Sequence, residues 1–393
     1  MNLDKKLKIL ISSAKYDVAC SSIYLKNRNF LNLGYSSKCV PLLKVLFSNA
    51  CIYDCAYCIN RKSNNIPRAT FSVNELVNIT ISFYKKNYTK GLFLSSAIIK
   101  NPDYTMEQMI KVVKKLRTKE KFNGYIHLKI IPGVDEKLIE EAGLYADRLS
   151  INVEFPTKKS LKFLAPDKEP ESIQKPLIVS SKKYIETISE VKKYKHAKLF
   201  SPAGQTTQLI VGATPESDKK ILSFADKLYK DYKLKRVYYS AYIAVNYDKK
   251  LPTTSESQIR ENRLYQADFL IRLYNFRIEE LFEKSERLDL KIDPKTKWAI
   301  NHPEFFPIEI NSASYDELIR VPGIGIKTAK LIIKARKLSS LNFDNLIKIG
   351  VLLKKAKYFI TCNGKKYNNL ERSTPLFSIN FSKEEDKTEC FSL

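Results

Sequence analysis

Six short apolar runs alternating with helical segments constrain this chain more than any other feature of its sequence. The runs, at residues 43–48, 91–96, 125–131, 148–154, 208–213 and 236–245, are rich in branched and aromatic side chains, a composition that predicts buried strands. Between them, Ser72-Val73-Asn74-Glu75 has the pattern of a capping box opening a helix to about Asn87, and residues 106–116, 135–145 and 217–229 carry helical spacing. Strands separated by helices pair in parallel, so the pattern predicts an α/β fold with helices outside a parallel sheet. Periodicity alone leaves two forms open, an open doubly wound sheet or a barrel.

The rhythm is interrupted at residues 155–205, a polar stretch with its own helical piece, expected to be an insertion that shapes substrate access. A helix-like stretch from about Glu256 to Ser285 closes this part of the chain. The expected organisation is an N-terminal helical extension at 1–42, the β/α domain at 43–286, a Pro-punctuated connector at 287–307, a small all-helical module at 308–367, and a polar tail at 368–393 without fixed structure.

Charge is the next constraint. Lys and Arg number 68 against 42 Asp and Glu, a formal net charge of +26. A field of that sign favours a polyanionic partner, although a lysine-rich coding bias produces the same excess. An apolar content of 44% suffices for a sizeable core. No stretch approaches the roughly 18 uninterrupted apolar residues of a membrane helix, and the N-terminus lacks the apolar core of a secretory signal. The expectation is a cytoplasmic protein with no membrane partner.

Three of the seven cysteines fall within eight residues, Cys51, Cys55 and Cys58, directly after the first predicted strand. Clustered cysteines, odd in total, argue for a metal or redox site over a disulfide framework. Thiolates suit iron–sulfur clusters and zinc. A structural zinc site closes with four protein ligands, and no fourth Cys or His stands within metal-finger spacing of this loop. A four-iron cluster held by three cysteines leaves one iron open to another ligand.

The CxxxCxxC spacing, with the aromatic Tyr57 before its third cysteine and a strand before its first, resembles the radical S-adenosylmethionine (SAM) superfamily. The resemblance implies a partial (β/α)6 TIM-like barrel, a 4Fe-4S cluster on Cys51, Cys55 and Cys58, SAM bound at the open iron, and an electron donor such as flavodoxin or ferredoxin. It implies reductive cleavage of SAM to a 5′-deoxyadenosyl radical that abstracts hydrogen from the substrate. Tyr57, Ser95, Ser96, Asn152, Glu154 and Gly212 stand where the superfamily contacts SAM. One departure is plain: the Gly-Gly-Glu segment that typically ends the second strand appears as Leu94-Ser95-Ser96-Ala97, without its carboxylate. Plainer readings remain open, Asn152 and Glu154 as a strand-end polar pair and Gly212 as a bulge.

A second motif lies at Asn311 to Ile333, where Val321-Pro322-Gly323-Ile324-Gly325 separates two short helical patterns. Leu318, Ile319, Ala329 and Ile332 form a candidate apolar seam, and glycines at the turn expose amides at a helix N-terminus, a ready phosphate site. This resembles the helix-hairpin-helix motif of DNA repair and recombination proteins, which implies a backbone grip on duplex DNA through Gly323, Ile324, Gly325, Lys327, Thr328 and Lys330. A packing or protein-binding module is the plainer alternative.

The two motifs together, with His302-Pro303-Glu304-Phe305-Phe306-Pro307 before the hairpin, resemble a family labelled DNA modification or repair radical SAM proteins. That resemblance implies a uracil-DNA-glycosylase-like protein partner. Two other function classes stay open: a DNA-binding iron–sulfur adaptor without radical chemistry, and an RNA-modifying radical SAM enzyme. Cys362 and His302 are candidate catalytic residues, each with a structural role as the plainer reading. Cys20, Cys39 and Cys390 have no partner spacing. Tyr238, Tyr239 and Tyr242 are candidates for stacking a base, or for simple strand packing.

Overall fold

The computed structural model describes residues 1–15, 17, 41–194 and 196–367. It divides into two compact units: one takes residues 1–216 and 224–256, the other residues 217–223 and the chain from 257 onward. The expected tail at 368–393 lies outside the described residues, as do Cys20, Cys39 and Cys390. No helix among the described residues is long and apolar enough to cross a membrane.

The first β/α sequence runs α1 (Leu3–Ala14), β1 (Leu42–Leu46), α2 (Val73–Lys85), β2 (Gly91–Ser95), α3 (Pro102–Thr118), β3 (Tyr125–Lys129), α4 (Glu136–Tyr145), β4 (Arg148–Ser150), α5 (Lys158–Leu164), α6 (Pro170–Lys193), β5 (Gln205–Val211), α7 (Asp218–Tyr232) and β6 (Arg236–Ala241). Local signals set the helix starts. Ser72 Oγ accepts the Glu75 amide at 3.2 Å while the Glu75 carboxylate accepts the Ser72 amide at 2.7 Å, the expected capping box. Asn101 caps α3, whose first residue is Pro102.

All six strands lie in one sheet in chain order, β1-β2-β3-β4-β5-β6, and every neighbouring pair is parallel. That order decides between the two forms that periodicity left open, in favour of the partial barrel the resemblance implied. A doubly wound sheet reverses its strand order at a switch point, whereas an unbroken order with right-handed crossovers puts every crossover helix on one face and curls the sheet into a partial barrel.

Which face is which follows from alternation along the strands. Leu43, Val45, Leu92, Leu94, Ile126 and Leu128 are buried and apolar. Gln205, on the same face by register, donates from Nε2 to the Leu177 carbonyl of α6 at 3.2 Å, so this is the helix-covered face. The opposite, concave face carries Lys44, Phe93, His127, Lys129 and Ser150.

Residues 155–205 differ from the expected insertion. Most of this stretch is α6, the helix that makes the β4-to-β5 crossover and packs on α4, with Lys175 and Lys183 each 3.1 Å from Glu136 and Glu140. Its buried stripe is Ile173, Pro176, Leu177, Ser180 and Ser181. Two serines and a proline among five buried positions hide the apolar period that identifies a core-facing helix.

The second unit contains α8 (Gln258–Leu273), α9 (Ile278–Leu281), α10 (Pro294–Asn301), a 3-10 turn at Pro303–Phe305, β7 (Ile308–Glu309), α11 (Tyr315–Arg320), α12 (Ile326–Ala335), α13 (Phe343–Ile349), α14 (Leu353–Ala356) and β8 (Ile360–Thr361). A two-residue parallel pairing of β7 with β8 joins the ends of the helical module. The helix expected to reach Ser285 stops at Leu273, followed by Asn275 at φ 57°, a left-handed conformation that asparagine tolerates. Residues 257–286 therefore belong with the second unit, not with the barrel. The expected connector holds α10, whose Trp298 is 2% exposed and meets the Phe276 ring edge-on at 5.1 Å.

Buried charge organises this unit at one point. Arg260 Nε donates to Asp218 Oδ1 at 2.8 Å, and the Leu288 amide donates to Asp218 Oδ2 at 2.9 Å. Removing the Asp218 carboxylate takes a charged partner from buried Arg260 and the acceptor from the Leu288 amide. Asp218→Ala should therefore lower stability by about 3–5 kcal/mol in urea denaturation, while Asp218→Leu combined with Arg260→Met recovers most of that loss.

Candidate functional site: the cysteine loop and the hairpin

The loop that follows β1 is held by ion pairs and carbonyl contacts rather than by regular structure. Arg68 is the central support: Nη1 donates to the Asn49 and Asn60 carbonyls at 2.6 and 2.8 Å, and Nη2 to those of Arg61 and Asn64 at 2.6 and 2.8 Å. Arg61 forms a two-pronged pair with Asp54 at 2.9 and 2.7 Å and reaches Asp248 at 2.9 Å. Its guanidinium holds the Asp54 carboxyl well below the usual carboxylate range. Asn246 donates to the Ala56 and Cys58 carbonyls at 2.7 and 2.9 Å. The segment after α5 closes the other side, with the Ala56 amide on the Leu164 carbonyl at 2.7 Å and the Asp54 amide on Asp167 at 2.8 Å.

Cys55 is buried and Cys51 and Cys58 are partly so. Burial pushes the Cys58 thiol up to about 12 and raises that of Cys55, with Cys51 adding to both shifts and Cys55 to that of Cys58. Thiolates in such a place need a cation beside them, which is what a metal cluster supplies. Three sulfurs on one strand-end loop are therefore a donor set that fits an iron–sulfur cluster. Among the described residues, however, no three His, Cys, Asp or Glu side chains are gathered as a ready metal site.

Of the candidate SAM contacts, Tyr57 and Glu154 come together through Lys168. Its ammonium is 2.8 Å from Glu154 Oε1 and 3.2 Å from the Tyr57 hydroxyl, and the Tyr57 ring meets Phe155 edge-on at 5.3 Å. Burial opposes charge on Lys168, but Glu154 and the cysteines outweigh it and hold its pKa above the ordinary lysine range. Glu154 has φ 62° and exchanges backbone hydrogen bonds with Gln208 and Ile210 of β5, which places its carboxylate. Ser95 is buried at the end of β2. Ser96 Oγ donates to the Ala97 carbonyl at 2.7 Å, and Asn152 Oδ1 accepts from Lys129. Gly212 has φ 88°, and a Cβ there would fall 2.4 Å from the Glu256 carboxylate, so a side chain is excluded on both counts.

Lys168, Arg61, Arg68, Asn246 and Asp248 carry this site's geometry without having been candidates. Sequence offered one signal, the two arginines within the loop itself; Lys168 and Asn246 come from distant segments that only folding brings near.

The hairpin in the second unit has the expected core, with Leu318, Ile319, Ala329 and Ile332 all nearly inaccessible. Gly323 turns at φ 84°, and a Cβ there would lie 2.5 Å from the Leu352 carbonyl. Gly325 precedes α12 without a side-chain cap of its own; apart from the Ile326 amide, which the Tyr274 hydroxyl takes, the first turn offers amides to a ligand. The Tyr274 hydroxyl is hydrogen bonded to the Ile326 amide, and Lys295 Nζ donates to the Ile324 carbonyl at 2.6 Å. Lys327 and Lys330 are exposed on α12, and Thr328 is partly so.

His302 and Cys362 pack within the second unit. His302 Nδ1 is 2.8 Å from Glu304, Nε2 faces Glu283 at 3.2 Å, and its ring lies on Trp298 at 4.8 Å. Cys362 is 4% exposed, and burial followed by the Glu309 charge pushes its thiol up to about 12.

The loop's dependence on Arg68 is testable. Arg68→Met should lower stability by about 3 kcal/mol or more, because four carbonyls lose a charged donor at once, and should cut the iron retained after anaerobic reconstitution by at least about half. Calorimetry and iron analysis measure the two effects, with Arg68→Lys intermediate in both.

Residues 45–228 match the family model of the radical SAM superfamily, and residues 305–350 match that of the helix-hairpin-helix motif. No curated protein matches the chain. Similar solved structures include HydG, a maturase of the [FeFe]-hydrogenase, at 15% identity and TM-score 0.41 over 57% of this chain and 48% of that one. HydG from Carboxydothermus hydrogenoformans follows at 14% and 0.42 over 58% and 50%. The cobalamin-dependent SAM radical enzyme OxsB has 13% and 0.33 over 79% and 46%. The chain spans about half the length of these structures or slightly less. Residues 45–228 are thus a radical SAM domain, and residues 305–350 carry a helix-hairpin-helix motif.

Proposed function

We propose that this chain is a radical SAM enzyme that modifies or repairs DNA held by its helix-hairpin-helix motif. The observation that carries the reading is the union in one chain of the two matched segments, one a source of radical chemistry and the other resembling a backbone grip. Cys51, Cys55 and Cys58 are the residues that would hold a 4Fe-4S cluster, and Tyr57, Ser95, Ser96, Asn152, Glu154 and Gly212 those that would contact SAM. When bound, the cluster and SAM supply an electron and a 5′-deoxyadenosyl radical able to take a hydrogen atom from carbon.

The chain's own residues do the holding. Arg61 and Arg68 brace the backbone of the cysteine loop, so a bound cluster would need only the cysteine side chains to converge on it. The glycine turn and the amides of α12 beyond Ile326, with Lys327 and Lys330, suit phosphate oxygens along a backbone. Such contacts position a duplex without reading its sequence, and a carbon inside the stack has to be flipped or distorted outward to be reached. The reading leaves Cys362 and His302 without a catalytic step, since both are packed against neighbours in their own unit. A flavodoxin or ferredoxin as donor and a uracil-DNA-glycosylase-like protein as companion belong to the same proposal.

The test is anaerobic reconstitution with iron and sulfide, then dithionite and SAM with duplex DNA, structured RNA or neither, assayed for 5′-deoxyadenosine. The expected result is product that rises with DNA and is lost in Cys55→Ala. Product that rises with RNA alone points to the RNA enzyme, and absence of product from a reducible, SAM-binding cluster points to the adaptor. Lys327→Glu with Lys330→Glu should weaken duplex binding about tenfold or more and flatten the slope of log affinity against log salt by about two.

A further inference from the structure

We infer that the concave face of the barrel sheet carries a phosphate-binding subsite for the substrate, built on Lys44 and Lys129 and filled in this structure by the side chain of Asp17. Both ammonium groups lie over the Phe93 ring, at 5.8 and 6.0 Å from its centroid. Lys129 is 5% exposed and reaches Asn152, while Lys44 donates to the Lys15 and Asp17 carbonyls. The carboxylate that faces them is that of Asp17, 3.4 Å from Lys129. Among the described residues, a buried Lys129 and a partly buried Lys44 set against one carboxylate leave charge uncompensated, a costly arrangement unless a ligand completes it. Residues 18–40, which follow Asp17, include no Asp or Glu that could do so.

His127 reports the same field. Its ring is buried, 2.7 Å from Ser150 Oγ and edge-on to Phe93 at 4.6 Å. Burial first, then Lys129, Arg148 and Lys44, push it well below the ordinary imidazole range, so it stays neutral and adds a hydrogen-bonding group rather than a third charge. Burial likewise lowers Lys44 to about 8, with Asp17 opposing and Lys129 adding to the shift.

Position and charge then name the ligand. Lys129 ends β3 and Asn152 follows β4, on the same edge of the sheet from which the cysteine loop leaves β1. Asp17 brings one negative charge, whereas a phosphate monoester or two adjacent phosphodiesters bring about two, which matches the lysine pair. The DNA reading enters only in making a nucleotide the source of that phosphate.

The test is titration calorimetry of the reconstituted full chain without reductant, using thymidine 5′-monophosphate, the trinucleotide TpTpT without terminal phosphate, thymidine and succinate. The monophosphate or the trinucleotide should bind about tenfold or more tighter than thymidine, and whichever does so identifies a monoester or a diester source. Lys129→Met and Lys44→Met should abolish the difference, with Lys129→Arg retaining part of it. Asp17→Asn should tighten phosphate binding several-fold, a gain that a merely structural ion pair would not produce; this arm stands even if a lysine variant fails to fold. Succinate binding as tightly as the phosphates, or Asp17→Asn binding no tighter than the parent, overturns the inference. Because the readout is binding, a protein that holds phosphate but never yields 5′-deoxyadenosine keeps the subsite and loses the radical reading.

Discussion

Six parallel strands paired in chain order leave the sheet no freedom about its two faces. Every crossover helix lies on one side, so that side must be apolar, and residues such as Val45, Leu92, Ile126 and Leu128 are fully buried there. The other side is thereby released from making the helix-facing core. It can carry lysine, histidine, serine and asparagine, groups that a doubly covered sheet would exclude. The chemistry of the barrel is a consequence of its one-sided cover.

The strand ends show the complementary solution. The loop bearing three cysteines after β1 has no strand pairing of its own to hold it. The chain fixes it with side-chain donors on backbone carbonyls, the Arg68 guanidinium on four of them and the Asn246 amide on two, and with the Arg61–Asp54 pair. Guanidinium suits this task because its planar fork reaches several acceptors at once without losing its charge. The same economy appears at Gly323, where a left-handed turn lets the backbone pass within contact of Leu352, and no side chain could occupy the space.

Much of this was legible locally. The capping box at Ser72, the strand runs, the spacing of Cys51, Cys55 and Cys58, and the apolar seam around Leu318 and Ile332 all depend on residues close in sequence. What escaped did so for identifiable reasons. Helix α6 hides its period behind Ser180 and Ser181. The helix after Ser257 stops at Leu273 at a left-handed Asn275, with the Phe276 amide turned back onto the Leu270 carbonyl, a stop signal carried by asparagine and not by proline or glycine. Lys168, Asn246 and Asp248 approach the cysteine loop from across roughly one hundred residues or more, and no local pattern encodes such a meeting.

By itself the sequence determined the alternation of elements, the donor set on the first strand-end loop and the glycine turn of the hairpin, because each follows from backbone geometry and side-chain type within a few residues. Only the tertiary structure decided that the sheet closes toward a barrel, since strand order is a property of pairing between distant segments. It also decided which residues share the concave face. Lys44, His127 and Lys129 lie within apolar runs that read as ordinary strands, and alternation assigns them to one surface only once the helices have claimed the other.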